Sequence, residues 1–255
     1  MARTIPHEAS SLRHFGKSAQ PSFRSGEIYG ALIWNIFKSK KRGWDEDFSR
    51  LHPVYDLLLL QEAKINFSES IEVYDPDYSW VFGESFALDR CGSSCGVLTG
   101  SRIQQQHAFN RHGPVREPFV NTPKSTSFAY YAIEDQPCKL LVINSHFINF
   151  RQSSAFERQL EQVVSVISDH DGPVLFAGDF NTWNGRRRGH LLDAMQALGL
   201  ESVVFANESR TFMLLDYIFT RGLRVREAHL LHFIQTSDHL PLSMWFDIPR
   251  EVVNS

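Results

Sequence analysis

The stretch from Gly172 to Trp183, GPVLFAGDFNTW, constrains the fold more than any other part of the chain. Gly172-Pro173 marks a turn, Val174 to Ala177 form a short apolar run suited to a buried strand, and Gly178-Asp179-Phe180-Asn181 break it with an acid and an amide. In sandwiches and open α/β sheets, strand ends are where reactive groups reach solvent while the scaffold stays packed. Asp179 and Asn181 are two residues apart, so if strand geometry persists through them both point to one side and can hold a water against a phosphorus centre. The same residues also read as a tight turn in which Asx side chains bond their own backbone.

The rest of the chain repeats the pattern of an apolar run with a polar end. Residues 27–37 form a strand carrying Trp34-Asn35-Ile36, and residues 56–61 form a four-leucine strand ending at Glu62. Segments 78–82, 94–99, 102–109 and 125–133 read as an antiparallel meander, with Pro114, Pro118 and Pro123 in its last loop. Residues 139–144 deliver Ser145-His146-Phe147-Ile148-Asn149, residues 210–220 carry Asp216 among hydrophobes, and residues 223–233 form a further strand. Ser237-Asp238-His239 precedes the last strand, 241–246. Helices are expected at 44–51, from Ser154 behind a Ser154/Glu157 capping box, and around Leu191, Met195 and Leu198. Residues 1–26 read as a loosely attached polar arm without chemistry, 27–249 as a single domain and 250–255 as a tail.

Composition narrows the class. With 42% hydrophobic and 22% charged residues, the chain has an ordinary globular make-up, and its net charge of −3 means that any attraction to phosphate must be local. No apolar run approaches the roughly 18 to 20 residues that span a bilayer. Without a charged-then-apolar leader pattern, and with three scattered cysteines (Cys91, Cys95, Cys138), the cytoplasm is the expected compartment, with no stable membrane association. A Cys91–Cys95 bridge is geometrically open, and the cysteine spacings make no zinc site.

Taken together, WNI at Asn35, QE at Glu62, SHFIN at His146 and Asn149, GDFN at Asp179 and Asn181, LDYIF at Asp216 and SDHLPL at Asp238 and His239 resemble the endonuclease/exonuclease/phosphatase superfamily, whose fold is shared by DNase I. The resemblance spans about residues 28 to 247 and looks most like a bacterial YafD-like branch. It implies an α/β fold, a four-layer sandwich of two mostly antiparallel sheets flanked by helices, with the active site at one rim. It also implies roles: Asp179 orients and deprotonates the attacking water, Asn181 contacts phosphate, His239 donates to phosphoryl oxygens while held by Asp216, and His146 serves as general acid. Four carboxylates at one site would repel one another unless a cation sits among them. A metal is therefore expected, held by Glu62 and Asn35 with Asp238 nearby, and oxygen ligands without cysteine suit Mg2+ or Mn2+.

The basic residues gain meaning from these neighbours. Lys40 and Lys41 follow Asn35, Arg151 follows Asn149, and Arg186 to Arg188 follow Asn181. With Asn149, the residues Lys40, Lys41, Arg151, Arg186 and Arg187 are expected to form a local positive collar that contacts substrate phosphates. The partner so implied is nucleic acid or another phosphodiester substrate. A phosphomonoesterase or lipid phosphodiesterase could use the same machinery, and a catalytically silent binding module is the alternative from another class. Leu215-Asp216-Tyr217 stands where inositol 5-phosphatases usually show Cys-Asp-Arg, Thr182-Trp183-Asn184 replaces the Ala-His pair of repair endonucleases, and no clear apolar membrane hairpin is seen in the sequence.

Overall fold

The structure is a computed structural model and describes residues 3–68, 74–88, 92–210 and 214–250. The chain opens with three short strands, β1 (Arg3–Thr4), β2 (Leu12–Phe15) and β3 (Ser22–Phe23), then β4 (Ile28–Asn35), helix α1 (Trp44–Leu51) and β5 (Leu57–Asn66). A meander follows as β6 (Ser79–Leu88), β7 (Ser93–Ser101), β8 (His107–His112) and β9 (Ser125–Ile133). Then come β10 (Lys139–His146), α2 (Ser153–Ser168), β11 (Val174–Asp179), α3 (Gly185–Ala197), β12 (Glu201–Ser202), β13 (Asp216–Arg221), β14 (Arg224–Leu230) and β15 (Leu242–Asp247).

Two mostly antiparallel sheets result. One runs β1-β6-β7-β5-β4-β15-β14 with β2 also on β6; the other runs β12-β13-β11-β10-β9-β3 with β8 also on β9. Among the described strands the parallel pairs are β4–β5, β10–β11 and β3–β9.

The four-leucine run shows why the sheets stack as inner layers. Leu57 and Leu59 enter the core between the sheets, whereas Leu58 and Leu60 enter an outer core with Trp44 and Phe48 of α1. A strand alternates its side chains between two faces, so a continuous apolar run needs cover on both. β11 does the same in the second sheet: Leu175 and Ala177 face inward, while Val174 and Phe176 meet Phe156, Leu160 and Val163 of α2 and Leu191 and Met195 of α3. The order is helix, sheet, sheet, helix, as the resemblance implied.

Some local readings differ. Residues 3–26 do not form a loose arm: β1 and β2 pair with β6 and β3 pairs with β9. The strand expected from residue 102 begins at His107, because Ser101 and Arg102 turn the chain between sheets, with Ile103 N–H on Ser101 Oγ at 3.0 Å. The Ser154/Glu157 capping box is absent: α2 starts at Ser153 behind Gln152 without a side-chain cap, and Glu157 instead meets Arg186 at 3.2 Å and His190 at 2.8 Å from α3. The arginine run is the first turn of α3; Asn184 caps it by accepting from Arg187 N–H at 2.9 Å. Cys91 lies outside the described residues, and the Cys91–Cys95 pairing with it.

Candidate active site

Strand parity brings the polar groups together. Ala31 and Ile33 of β4 face the space between the sheets, and so does Asn35 two residues on; Leu140 and Val142 of β10 lead to His146, and Leu175 and Ala177 of β11 lead to Asp179. Ile218 places Asp216 of β13 on the same side. Register completes the alignment, since His146 lies opposite Asp179 and Asp179 opposite Asp216. Glu62 has the wrong parity for this line, but β5 is bulged against β7 between Leu60 and Ala63, with Glu62 at φ 53°, which redirects the carboxylate. Gly178, at φ 145°, permits the close approach of β11 to β10: a Cβ there would lie 1.9 Å from Ser145 O.

Asp179 is the hub. Its Oδ1 accepts from Asn181 N–H at 3.0 Å, the Asx turn that the sequence allowed, and Oδ2 accepts from Asn35 Nδ2 at 3.0 Å. His146 Nε2 lies 3.3 Å and His239 Nε2 3.9 Å from the same Oδ2, and His239 Nδ1 is 2.8 Å from Asp216 Oδ2. Strand geometry does not persist to Asn181, which stands at φ 50° and donates its Nδ2 to Phe147 O at 2.9 Å. Around this hub, Lys38 pairs with Glu62, and Lys124 Nζ donates to His146 Nε2 at 2.9 Å.

Electrostatics divide the two imidazoles. Burial alone would lower His239, but the charge and hydrogen bond of Asp216, with Asp179 and Asp238 behind, push it up to about 10, so it is an imidazolium at neutral pH. Burial, followed by Lys124, Lys38 and His239, holds His146 well below the usual histidine range, so it is neutral. Burial and the neighbouring Asp216 raise Asp179 to about 7, where a carboxylate can take a proton and return it. Burial would raise Glu62 as well, but Lys124 and Lys38 outweigh it and keep the carboxylate ionised.

The collar is only partly where the sequence put it. Arg187 does not reach substrate: it is fully buried, and Nη1 donates to Ile148 O (2.8 Å) and Asn181 O (3.0 Å) while Nη2 donates to Asn149 O (2.8 Å) and Arg151 O (2.6 Å). Arg186 is drawn to Glu157, Arg151 Nε donates to Arg116 O at 2.8 Å, and Lys41 ties its loop to Ser237 O. Lys40 does line the cavity beside Glu62. Asn149 is half-buried at the rim, its N–H on Glu117 Oε1 at 2.9 Å. Asp238 is exposed and accepts from Ser237 Oγ at 3.3 Å. Lys38, the first residue of the basic run after Asn35, does reach the site, on Glu62; sequence reasoning missed Lys124 and Glu117, since a lysine after a loop proline carries no motif and only the pairing of β9 with β10 sets Lys124 beside His146.

Asp179, Asp216 and His239 present ligand atoms within 4.8 Å of one another. An imidazolium flanked by two carboxylates cannot ligate, however, so this trio reads as one charged imidazole hydrogen-bonded to Asp216 and facing Asp179 at 3.9 Å. Glu62 fits a hard divalent cation: it is an ionised oxygen donor, already matched to the positive charge of Lys38. The Asn35 oxygen accepts from Phe37 N–H at 3.1 Å and keeps one lone pair.

Two stacked sheets with an acid–amide–histidine cluster at one rim define an α/β sandwich with a polar centre between its sheets, and comparison with known proteins makes the class specific. The chain belongs to the Endonuclease/Exonuclease/phosphatase family, whose profile matches residues 32–239. It is 31% identical over 237 residues to a UPF0294 protein of Vibrio campbellii, covering 91% of this chain and 82% of that protein. Its fold is similar to the human Nocturnin catalytic domain with bound sulfate (TM-score 0.66, 17% identity, 95% of this chain and 99% of that one). It is also similar to D. rerio TDP2 complexed with single-strand DNA product (TM-score 0.62, 16% identity, 87% and 99%). Members of the family are in general hydrolases of phosphoester bonds and typically use divalent metals. No helix of the described residues is long and apolar enough to cross a membrane.

Proposed function

We propose that the protein is a divalent-metal-dependent phosphodiesterase that hydrolyses nucleic acid, with Mg2+ or Mn2+ as the cation. The observation that carries this reading is the convergence of Asn35, His146 and His239 on one oxygen of Asp179. Asp179, raised to about 7, takes the proton of the attacking water, and Asn35 holds its carboxylate in place. His239, kept charged and oriented by Asp216, donates from Nε2 to the phosphoryl oxygens as negative charge grows there. His146 is neutral beside Lys124, so proton delivery to the leaving oxygen falls to that pair, with Lys124 as its proton-bearing member. Glu62 and Asn35 would hold the cation, which supplies Lewis-acid polarisation and charge neutralisation when bound.

A sulfate bound to Nocturnin and a single-strand DNA product bound to TDP2 support an anionic, nucleic-acid-type substrate for this fold. The test is hydrolysis of bis(p-nitrophenyl) phosphate, single-stranded DNA, plasmid DNA and RNA after chelation and Mn2+ add-back. Asp179→Asn should lose about 10³-fold in kcat, the scale of a lost general base. Full activity in Asp179→Asn, or turnover of monoesters but no diester, refutes the proposal.

A further inference from the structure

Beside the catalytic groups the surface opens into a cavity of about 510 Å3, bounded by Glu62 and His146 on one side and by Arg3 and Leu88 on another. Its walls follow from two bulges. Past the first, Ala63 and Ile65 of β5 turn into the outer core, so Lys64 joins Glu62 on the opposite face, facing the cavity. At the second, β6 shifts register between Glu84 and Phe86, and Phe86 and Leu88 then line the cavity. β1 closes it: Arg3 lies opposite Leu88, donates Nη1 to Val120 O at 2.9 Å and sits 5.8 Å over the Phe86 ring.

The charge of this cavity is unbalanced. Lys38 is matched by Glu62, and Lys124 lies 3.8 Å from Glu117. Arg3, Lys40 and Lys64 also line the walls and have no carboxylate partner among the described residues. On a chain of net charge −3, three cations unmatched among the described residues around one half-enclosed space create a local positive potential, strengthened by the low dielectric of the walls.

We infer that this cavity is a second anion subsite, which takes a further phosphate of the substrate on Arg3, Lys40 and Lys64 with the attached sugar or base against Phe86, Leu88 and Val120. The inference rests on the phosphodiesterase reading of the adjoining centre. The volume is that of a small-molecule pocket and not of a duplex groove, so the occupant is a nucleotide-sized phosphorylated unit, such as an unpaired nucleotide next to the scissile bond. The N-terminal strand thereby becomes part of substrate recognition.

Matched chromogenic diesters test the subsite. Thymidine 5′-(p-nitrophenyl phosphate) is compared with and without a 3′-phosphate, and thymidine 3′-(p-nitrophenyl phosphate) with and without a 5′-phosphate, in the presence of Mn2+. In one polarity the added phosphate should raise kcat/KM by about tenfold, the worth of one charge-assisted contact, and the double variant Arg3→Ala, Lys64→Ala should abolish that ratio. No advantage in either polarity, or an advantage that survives the double variant, overturns the subsite. A second arm needs no turnover: calorimetric titration of chelated protein with thymidine 3′,5′-bisphosphate and with thymidine 5′-monophosphate. The bisphosphate should bind about tenfold more tightly in wild type and equally in the double variant; equal binding in wild type refutes the inference. If no diester turns over while the bisphosphate keeps its advantage, the hydrolase reading fails and the anion site stands.

Discussion

Replacing Arg187 with methionine separates the two roles open to this residue, substrate contact or internal clamp. The guanidinium is fully buried and satisfies four backbone carbonyls, at Ile148, Asn149, Arg151 and Asn181, with the Trp183 ring 4.9 Å from its carbon. Hydrogen bonds to a charged donor contribute about 1.5 to 3 kcal/mol each, which summed would give roughly 6 to 12 kcal/mol. Methionine fills much of the same volume and removes the desolvation cost of the buried charge, several kcal/mol, and water can reach the carbonyls nearest the rim. The expected net loss is therefore about 3 to 5 kcal/mol, or roughly 10 °C in Tm for a chain of this size. Urea unfolding followed by tryptophan fluorescence measures it. Because the clamp joins the loops that carry Asn149 and Asn181, kcat should fall as well at temperatures where the variant is folded, and Arg187→Lys should recover only part of either loss. A variant within about 1 kcal/mol of wild type whose defect lies in KM alone would refute the clamp and restore the phosphate role read from the sequence.

Three further outcomes follow from the same geometry. His239 is raised above its unfolded value, so its contribution to stability is fully present below about pH 6.5 and is lost as pH rises through about 10; the Tm gap between wild type and Asp216→Asn should accordingly close above pH 10, and a constant gap would disprove the pairing. Asp179 is also raised, to about 7, but for an acid this means that folding disfavours the ionised form, so stability falls as pH rises from about 4 through 7. Asp179→Asn should then be at least as stable as wild type at pH 8 by thermal melt while inactive, and a loss above about 1 kcal/mol contradicts the assignment. Gly178→Ala, which must fit a Cβ 1.9 Å from Ser145 O at φ 145°, should cost about 3 kcal/mol or more and show as poor soluble yield; a normal melt would show that β10 and β11 can part.

Much of this was legible in the sequence for a definite reason. Strands buried on both faces read as apolar runs, and Asn35, Glu62, His146 and Asp179 interrupt such runs at their ends, where burying a polar group is disfavoured unless it is bonded. Register was not legible: nothing in the chain states that His146 lies opposite Asp179 and Asp179 opposite Asp216. The arginine run misled because charge was taken as exposure, whereas Arg187 is spent on carbonyls of two loops, residues 148–151 after β10 and Asn181 after β11. The N-terminal residues misled in the opposite sense, since pieces of two to four residues show no period yet pair with strands far along the chain.

The site draws on both sheets, Asn35 and Glu62 from one and His146, Asp179 and Asp216 from the other, so the sheets must be fixed against sliding as well as held together. Apolar packing alone is non-directional and fixes this poorly. The fold adds a polar pin inside the core: Asn144, fully buried, donates Nδ2 to Leu60 O (3.2 Å) and Leu98 O (3.0 Å) and accepts from Gln61 Nε2 at 2.8 Å. Asn144 stands two residues before His146 on one sheet, and Gln61 immediately before Glu62 on the other. A buried amide that loses a partner is penalised by about 1 to 3 kcal/mol, so any displacement of one sheet on the other is opposed where the catalytic groups face each other. The Asn35–Asp179 bond crosses the same interlayer space one step closer to the rim, and it is functional and structural at once. Backbone strain at Glu62 and Asn181, both left-handed at φ 53° and 50°, sits beside these bonds: Glu62 follows Gln61 of the pin, and Asn181 is held by its N–H on Asp179 Oδ1 and its Nδ2 on Phe147 O.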